Sequence, residues 1–366
     1  MDEFGLSYAM GGLLFTAYFY LYMGMQFPAG LLGDRFGRKR MLTIGTFLWS
    51  IIAFITSLSR SLIELFVYRA LLGLTQGTYF GNDRSIVAAS TPKEKRGLGQ
   101  AVSLTGMGFG MAIGMIGGGY LAQVMNWRTA IAIIAIPAFF VGFLILKIIR
   151  ESGGKGTGTS STLREGYGQA VRSRALWILY IIHALIMYPY WVLGTWTPKV
   201  FLEIGVKQLG EASIYSSLLG FSAIPGLIFL GSLSDRFEKL GYGRRILISL
   251  AFIPLSVSML LLAYMITIQT YLTAAILVFV SGMFIWGLFA VLYSFVADVT
   301  PSKIYGSVFG LLNAIGFLSS LIAPPITGAI RDITGSFAWG FYVAGFLAII
   351  GCVLTFMIRP PKLQLR

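Results

Sequence analysis

The dominant pattern along the chain is long apolar stretches interrupted by short clusters of charge. Glu3 to Asp34 encloses 30 uncharged residues, Arg96 to Arg128 encloses 31, Arg245 to Asp298 encloses 52 and Lys303 to Arg331 encloses 27. A bilayer-spanning helix needs about 20 such residues. Cutting at charges and turn residues predicts eleven spans: 7–32, 41–58, 63–88, 97–122, 129–149, 175–198, 211–234, 246–266, 271–297, 305–330 and 337–358. The 52-residue stretch is divided near Thr267 to Thr270, because a single helix of that length would reach about 78 Å. Residues 151–174, which include the Gly/Ser/Thr-rich run Gly153 to Thr162, are the one long polar segment and read as a flexible linker between bundles at 1–150 and 175–366.

Composition narrows the picture to an all-α polytopic membrane protein. Only 11% of residues are charged, 56% are hydrophobic and the 366-residue chain contains 45 glycines. The apolar runs also lack the dyad alternation of a lipid-facing barrel. One cysteine and one histidine exclude a thiolate cluster and a multi-histidine metal site, so no metal or other cofactor is expected. The net charge of +14 is explained by sidedness rather than by nucleic acid. Of the 28 Lys and Arg, 21 follow odd-numbered spans and five lie on the other side, with Arg69 and Arg84 inside the third span. The positive-inside rule makes the first side, and the C-terminus, cytoplasmic.

The chain repeats itself. Gly30 to Leu42 reads GLLGDRFGRKRML, and Gly231 to Leu247 reads GSLSDRF, an inserted EKLGY, then GRRIL. Asp34 and Asp235 are 201 positions apart, whereas Thr91-Pro92 with Gly97 and Thr300-Pro301 with Gly306 share an offset of 209. Two homologous halves in parallel orientation follow, the construction of one large class of transporters.

In these motifs the chain resembles the major facilitator superfamily. Gly30, Leu32, Asp34, Arg35, Gly37, Arg38 and Lys39 match its signature, with Gly33 where alanine is usual. Aligned on that signature, the eleven spans correspond to family helices two to twelve, so the first family helix is the one not represented. The resemblance implies a two-bundle secondary carrier that moves a small solute by alternating access, works as a monomer in the cell membrane and is neither an enzyme nor a partner of nucleic acid. It also implies that Asp34 and Arg38, helped by Asp83, hold the cytoplasmic mouth shut, with Gly30, Arg35 and Gly37 shaping the turn and Asp235, Arg236 and Arg244 as second-half counterparts. The Trp196-Thr197-Pro198 ending of span six resembles the organic-anion and sugar-phosphate branch, which favours proton-coupled uptake of a small organic anion over drug export. A non-transporting membrane sensor or an inactive truncated remnant is the rival from another class.

Arg69 is the costliest residue, since a charge at lipid depth costs about 3 kcal/mol on insertion scales. With Gly73, Gln76, Phe80 and Asp83 it follows a helical seam that must face protein or water. His183 lies nine residues beyond Arg174, about 13 Å deep, where an imidazole can exchange protons or simply bond a neighbour's carbonyl. Tyr79, Asn82, Tyr188, Trp191, Trp286 and Tyr293 complete the expected substrate or proton pathway. Two glycine seams, Gly73/Gly77/Gly81 and Gly106/Gly110/Gly114/Gly118, are expected to pack helices closely.

Overall fold

The structure is a computed structural model that describes residues 2–79, 82–83, 86–87, 96–149, 171–300 and 305–357. The described residues form a short 3-10 turn, Asp2–Phe4, and twelve α-helices. The first five are α1 (Tyr8–Phe36), α2 (Arg38–Thr56), α3 (Leu62–Gln76), α4 (Arg96–Val124) and α5 (Trp127–Ile148). The remaining seven are α6 (Arg174–Glu203), α7 (Leu209–Phe221), α8 (Ala223–Lys239), α9 (Arg244–Thr267), α10 (Tyr271–Val299), α11 (Tyr305–Thr334) and α12 (Ala338–Met357). Each expected span is matched by a helix. Nine of the described segments are long and apolar enough to cross a membrane.

Two spans differ in detail. Span seven is two stacked helices, α7 and α8, meeting at Ser222. Pro225 has no N–H for the Phe221 carbonyl and its ring crowds that turn, which breaks the regular ladder there. In span three, α3 ends at Gln76 and the chain turns through Thr78 and Tyr79. Most of the expected linker falls in 150–170, outside the described residues, as do Phe80, Gly81 and Arg84.

Local chemistry sets the helix boundaries. Ser61 accepts from Glu64 N at 3.2 Å while the Glu64 carboxylate accepts from Arg60 N at 2.6 Å, a reciprocal cap that starts α3. Asn126 and Ser173 cap α5 and α6 through their side chains. The repeated turn needs glycine at one point: Gly37 has φ +95° before Arg38, and Gly243 has φ +76° before Arg244.

Helices α1 to α5 pack as one bundle and α6 to α12 as the other, with two seams between them, α1 against α11 and α4 against α7. The repeat explains the pairing. The offset of 201 carries α1 onto α7 and α8 together, and the offset of 209 carries α4 onto α11, so each seam is the image of the other. Asp332 and Gln123 cross the seams at the end opposite the Arg35 to Arg40 turn, and the rings of Phe15, Phe19, Tyr22, Trp191 and Phe317 meet across them deeper in the helices.

The second bundle holds the larger core. Helix α6 runs unbroken through Pro189 and Pro198, packed by α7, α10, α11 and α12. Leu176, Leu179, Ile182, Ile186 and Leu193 are fully buried on it. By contrast α5 shows Ile136, Phe140, Phe143 and Leu144 on its surface, the apolar exterior that a lipid environment accepts.

The glycine seams come out differently from each other. Gly73 and Gly77 press α3 against α1: a Cβ at Gly73 would land on the Tyr18 carbonyl, and one at Gly77 would meet Tyr22 O at 2.7 Å. On α4, however, a Cβ added at Gly106, Gly110 or Gly114 meets nothing within 4 Å. The offset of 209 places these three on Ile315, Ser319 and Ala323 of α11. There Ser319 donates to Ala184 O of α6 at 2.8 Å, and Ala323 is fully buried. The first half presents the same face without a counterpart of α6 among the described residues. Gly118, the last of that seam, has Ile134 Cδ1 of α5 at 3.5 Å from its would-be Cβ, and the glycines of α4 that pack closely are Gly108, against Gly220 and Ala223, and Gly119, against Ser213.

Candidate functional site

Arg69 lies seven residues into α3, about 10 Å from its start. The guanidinium carbon is 6.0 Å from the centroid of the Phe15 ring, and the side chain, partly exposed, has no ion-pair or hydrogen-bond partner among the described residues. Two turns further on, Gln76 Oε1 accepts from the Tyr18 hydroxyl at 2.6 Å, and the Tyr18 ring stacks on Tyr22 with centroids 5.2 Å apart. Gly73 sits between Arg69 and Gln76, where α3 is close enough to α1 for that bond to form.

A cluster of rings continues from this group into the other bundle. Trp191 of α6 lies 5.9 Å from Phe15, 4.6 Å from Phe19 and 6.0 Å from Phe317 between ring centroids. Tyr22 and Phe317 are 5.5 Å apart. The Trp191 indole N–H is buried and has no acceptor among the described residues. Phe15 therefore connects two of the expected site residues, Arg69 and Trp191, across the bundle interface. Phe15, Tyr18, Phe19, Tyr22 and Phe317 were not among the expected site residues. The signal for four of them was available as aromatic residues at i, i+3, i+4 and i+7 on one helical face.

His183 occupies a different environment. It is fully buried, with Nδ1 2.8 Å from the Leu312 carbonyl of α11 and Nε2 3.3 Å from the Tyr293 hydroxyl of α10. The carbonyl only accepts, so Nδ1 carries the proton and Nε2 presents its lone pair to Tyr293. The Tyr293 hydroxyl is also 3.3 Å from Asn313 Oδ1. Gly316 leaves room for the imidazole, since a Cβ there would strike the ring.

Other expected pathway residues are placed in packing roles. Tyr188 and Trp286 are buried in the second-bundle core, and the Trp286 N–H donates to Leu219 O at 3.0 Å. Tyr79 packs with Leu42, Ile86 and Ile145 in a small cluster of the first bundle. Asn82 is buried and donates to Ala29 O at 3.2 Å and to Thr78 O at 2.8 Å, tying α1 to the segment after α3. Gly33 makes that tie possible, because any Cβ there would overlap the Asn82 amide.

At the end carrying the repeated turns, Arg244 Nη1 donates to Asp235 at 3.0 Å and to Ser234, and Nε donates to Asp298 at 2.7 Å. This joins α8, α9 and α10 within the second bundle, and Arg236 beside it is exposed. In the first half, Gly30, Asp34 and Arg35 lie on α1 and Gly37 forms the turn into α2; the side chains of Asp34 and Arg35 are outside the described ones. Arg38 and Asp83 are half-buried.

A sequence model of the Major Facilitator Superfamily matches residues 1–241 and 241–365. The chain belongs to the Major Facilitator Superfamily. It is a multi-pass membrane transporter and not an enzyme. Among curated proteins it is 25% identical to the "Probable sulfoacetate transporter SauU" of Cupriavidus necator, over 98% of this chain and 87% of that one. It is 25% identical to the "Probable galactarate/D-glucarate transporter GudP" of Bacillus subtilis, covering 97% and 84%, and 24% identical to the "Hexuronate transporter" of the same species, covering 98% and 88%. In fold it resembles a bacterial homolog of the human lysosomal transporter Spinster, solved in an inward-facing and occupied conformation, with TM-score 0.77, 16% identity and coverage of 98% and 90%.

Proposed function

We propose that this transporter carries a small organic anion and that Arg69 is the charge that receives it. The observation that carries the reading is a cation at membrane depth with no protein carboxylate bonded to it among the described residues. An arginine there is stabilised by water or by an anion, and its planar fork suits a carboxylate or sulfonate. The names of the relatives, which specify sulfoacetate, galactarate or glucarate, and hexuronate, all describe organic anions and support the same class. Tyr18 and Gln76, one to two turns along the α1–α3 contact, and the Trp191 N–H, reached through Phe15, are the polar groups proposed to meet hydroxyls on such a solute.

Proton coupling belongs to the same proposal. By the distribution of Lys and Arg, the repeated turns and the C-terminus face the cytoplasm of a cell membrane. Moving one negative charge inward against an inside-negative potential costs about 2.3 kcal/mol per 100 mV. One proton per negative charge removes that cost, and further protons add drive. His183, whose Nε2 lone pair faces the Tyr293 hydroxyl, is the candidate carrier of that proton.

The test is uptake into proteoliposomes of radiolabelled glucuronate, galactarate and sulfoacetate, with and without an imposed pH gradient. At least one anion should enter saturably, faster with acid outside, and Arg69→Gln should abolish the signal. Uptake that is equal in Arg69→Gln would remove Arg69 from the site. Unchanged pH dependence in His183→Gln would remove the histidine from the coupling.

A further inference from the structure

At the end opposite the repeated turns, each seam between the bundles is closed by one side chain that caps a helix of the other bundle. Asp332, near the end of α11, accepts from Tyr8 N at 3.0 Å and from Ala9 N at 2.8 Å, the first two residues of α1. Ser7 accepts from Met10 N, and Gly11 N bonds Ser7 O at 2.9 Å. Of the four N–H groups that a helix start leaves without partners, two are thus satisfied only from the other bundle. Gln123, near the end of α4, accepts through Oε1 from Gly210 N of α7 at 2.5 Å and donates to Gln208 at 3.2 Å.

These two contacts are images of each other. The offset of 209 that relates α4 to α11 carries Gln123 onto Asp332, and the offset of 201 that relates α1 to α7 carries Ala9 onto Gly210. The glycines beneath them correspond as well: Gly119 maps onto Gly328, and a Cβ at Gly328 would meet Tyr8 O while one at Gly119 would meet Ser213. The duplicated fold has therefore retained the same device twice, charged in one copy and neutral in the other. Around the charged copy, Arg331 bonds Glu203 at 2.7 Å and lies 4.9 Å from the Tyr8 ring centroid, so α1, α6 and α11 converge there.

We infer that Asp332 and Gln123 are a repeat-related pair of latches that hold this mouth of the transporter closed. Opening the mouth pulls α1 from α11 and α7 from α4, and the released N–H groups then face water, so the latches can break and reform. Asp332 is the stronger of the two, because a carboxylate at a helix N-terminus makes charge-assisted bonds and meets the positive end of the helix dipole. The inference holds whatever the solute and whichever ion drives it.

The test uses the full chain in lipid nanodiscs, in a Cys352→Ser background, with spin labels on Met125→Cys and Ile268→Cys. Both sites are exposed at this end, one in each bundle. Distance distributions by pulsed electron resonance should show one short population in the parent. Asp332→Ala should raise the ratio of long to short distances by roughly fivefold, the effect of losing one helix cap of ordinary strength. Gln123→Ala should raise it less, and the double variant most. Asp332→Glu, which keeps the charge and both acceptors, should restore much of the short population. A merely structural cap would lower the unfolding temperature of Asp332→Ala and leave the distances as they were, and that result would overturn the inference.

Discussion

Replacing Gly220 with alanine tests the close crossing of α4 and α7 where the two bundles meet. A Cβ at Gly220 would lie 2.5 Å from Gly108 O, 2.6 Å from Ala112 N and 2.8 Å from Ala112 Cβ, against an ordinary contact of 3.4 Å or more. Two of these atoms are backbone and the third is attached directly to it, so none can rotate away. The helices must part by roughly 0.9 Å, an overpacking that typically costs about 1–3 kcal/mol. Gly110→Ala adds the same methyl two residues from Gly108 on the same helix, where nothing lies within 4 Å. Removing the extra backbone entropy of a helical glycine should there stabilise by about 0.5–1 kcal/mol. Both effects are read by heating purified protein with a thiol-reactive fluorophore, using Cys352, the single cysteine, as the reporter of unfolding. The unfolding temperature should fall for Gly220→Ala and stay level or rise for Gly110→Ala. Equal losses in both would mean that a helix packs on the Gly106/Gly110/Gly114 face, and an unchanged Gly220→Ala would refute the tight crossing.

Further predictions concern charged groups. Arg69→Lys should keep some transport and raise KM for the anion by about 10- to 100-fold, the value of charge-assisted hydrogen bonds lost with the planar fork, as measured by initial uptake rates. Arg244→Ala should lower stability by about 1 kcal/mol, because Asp235 and Asp298 are both largely exposed and screened; the deficit against the parent should shrink in high salt. Glu3 is held at a pKa of about 2, below the reference 4.5, chiefly by the hydrogen bond from Arg128 and then by that from Trp127. Its contribution is therefore complete above pH 4.5 and disappears as pH falls towards 2. The gap in unfolding temperature between the parent and Glu3→Gln should be constant from pH 7 to 5 and close below 4.

Span number, the two-half repeat and the family were legible because lipid imposes a simple rule: about 20 apolar residues per crossing, with charges left at the ends. Gly37 was legible as the glycine of the signature turn, and its positive φ, shared with Gly243, gives the physical reason the same residue stands in both halves. Depth along a helix was readable, but facing was not. Arg69 and Gln76 lie on the α1 side as their seven-residue spacing suggests, whereas Trp286 and Tyr188, equally aromatic and at similar depth, turn into the core. The Gly106/Gly110/Gly114 seam has the same four-residue spacing as Gly73/Gly77 and carries no described neighbour, because spacing specifies a face and not what lies opposite it. Asp332 and Gln123 escaped notice for another reason: one is acidic and the other neutral, so the correspondence appears only when both repeat offsets are applied to observed contacts.

The two bundles are proposed to form a carrier that binds an organic anion at one face and releases it at the other. Counterflow measures this directly: proteoliposomes loaded with millimolar unlabelled glucuronate, galactarate or sulfoacetate are diluted into a trace of the same labelled anion, with no ion gradient. For at least one of the three, label should accumulate transiently above its external concentration, and Arg69→Gln should not show the overshoot. Label that only equilibrates, or never enters for any of the three, would show that the two bundles do not exchange these anions across the membrane.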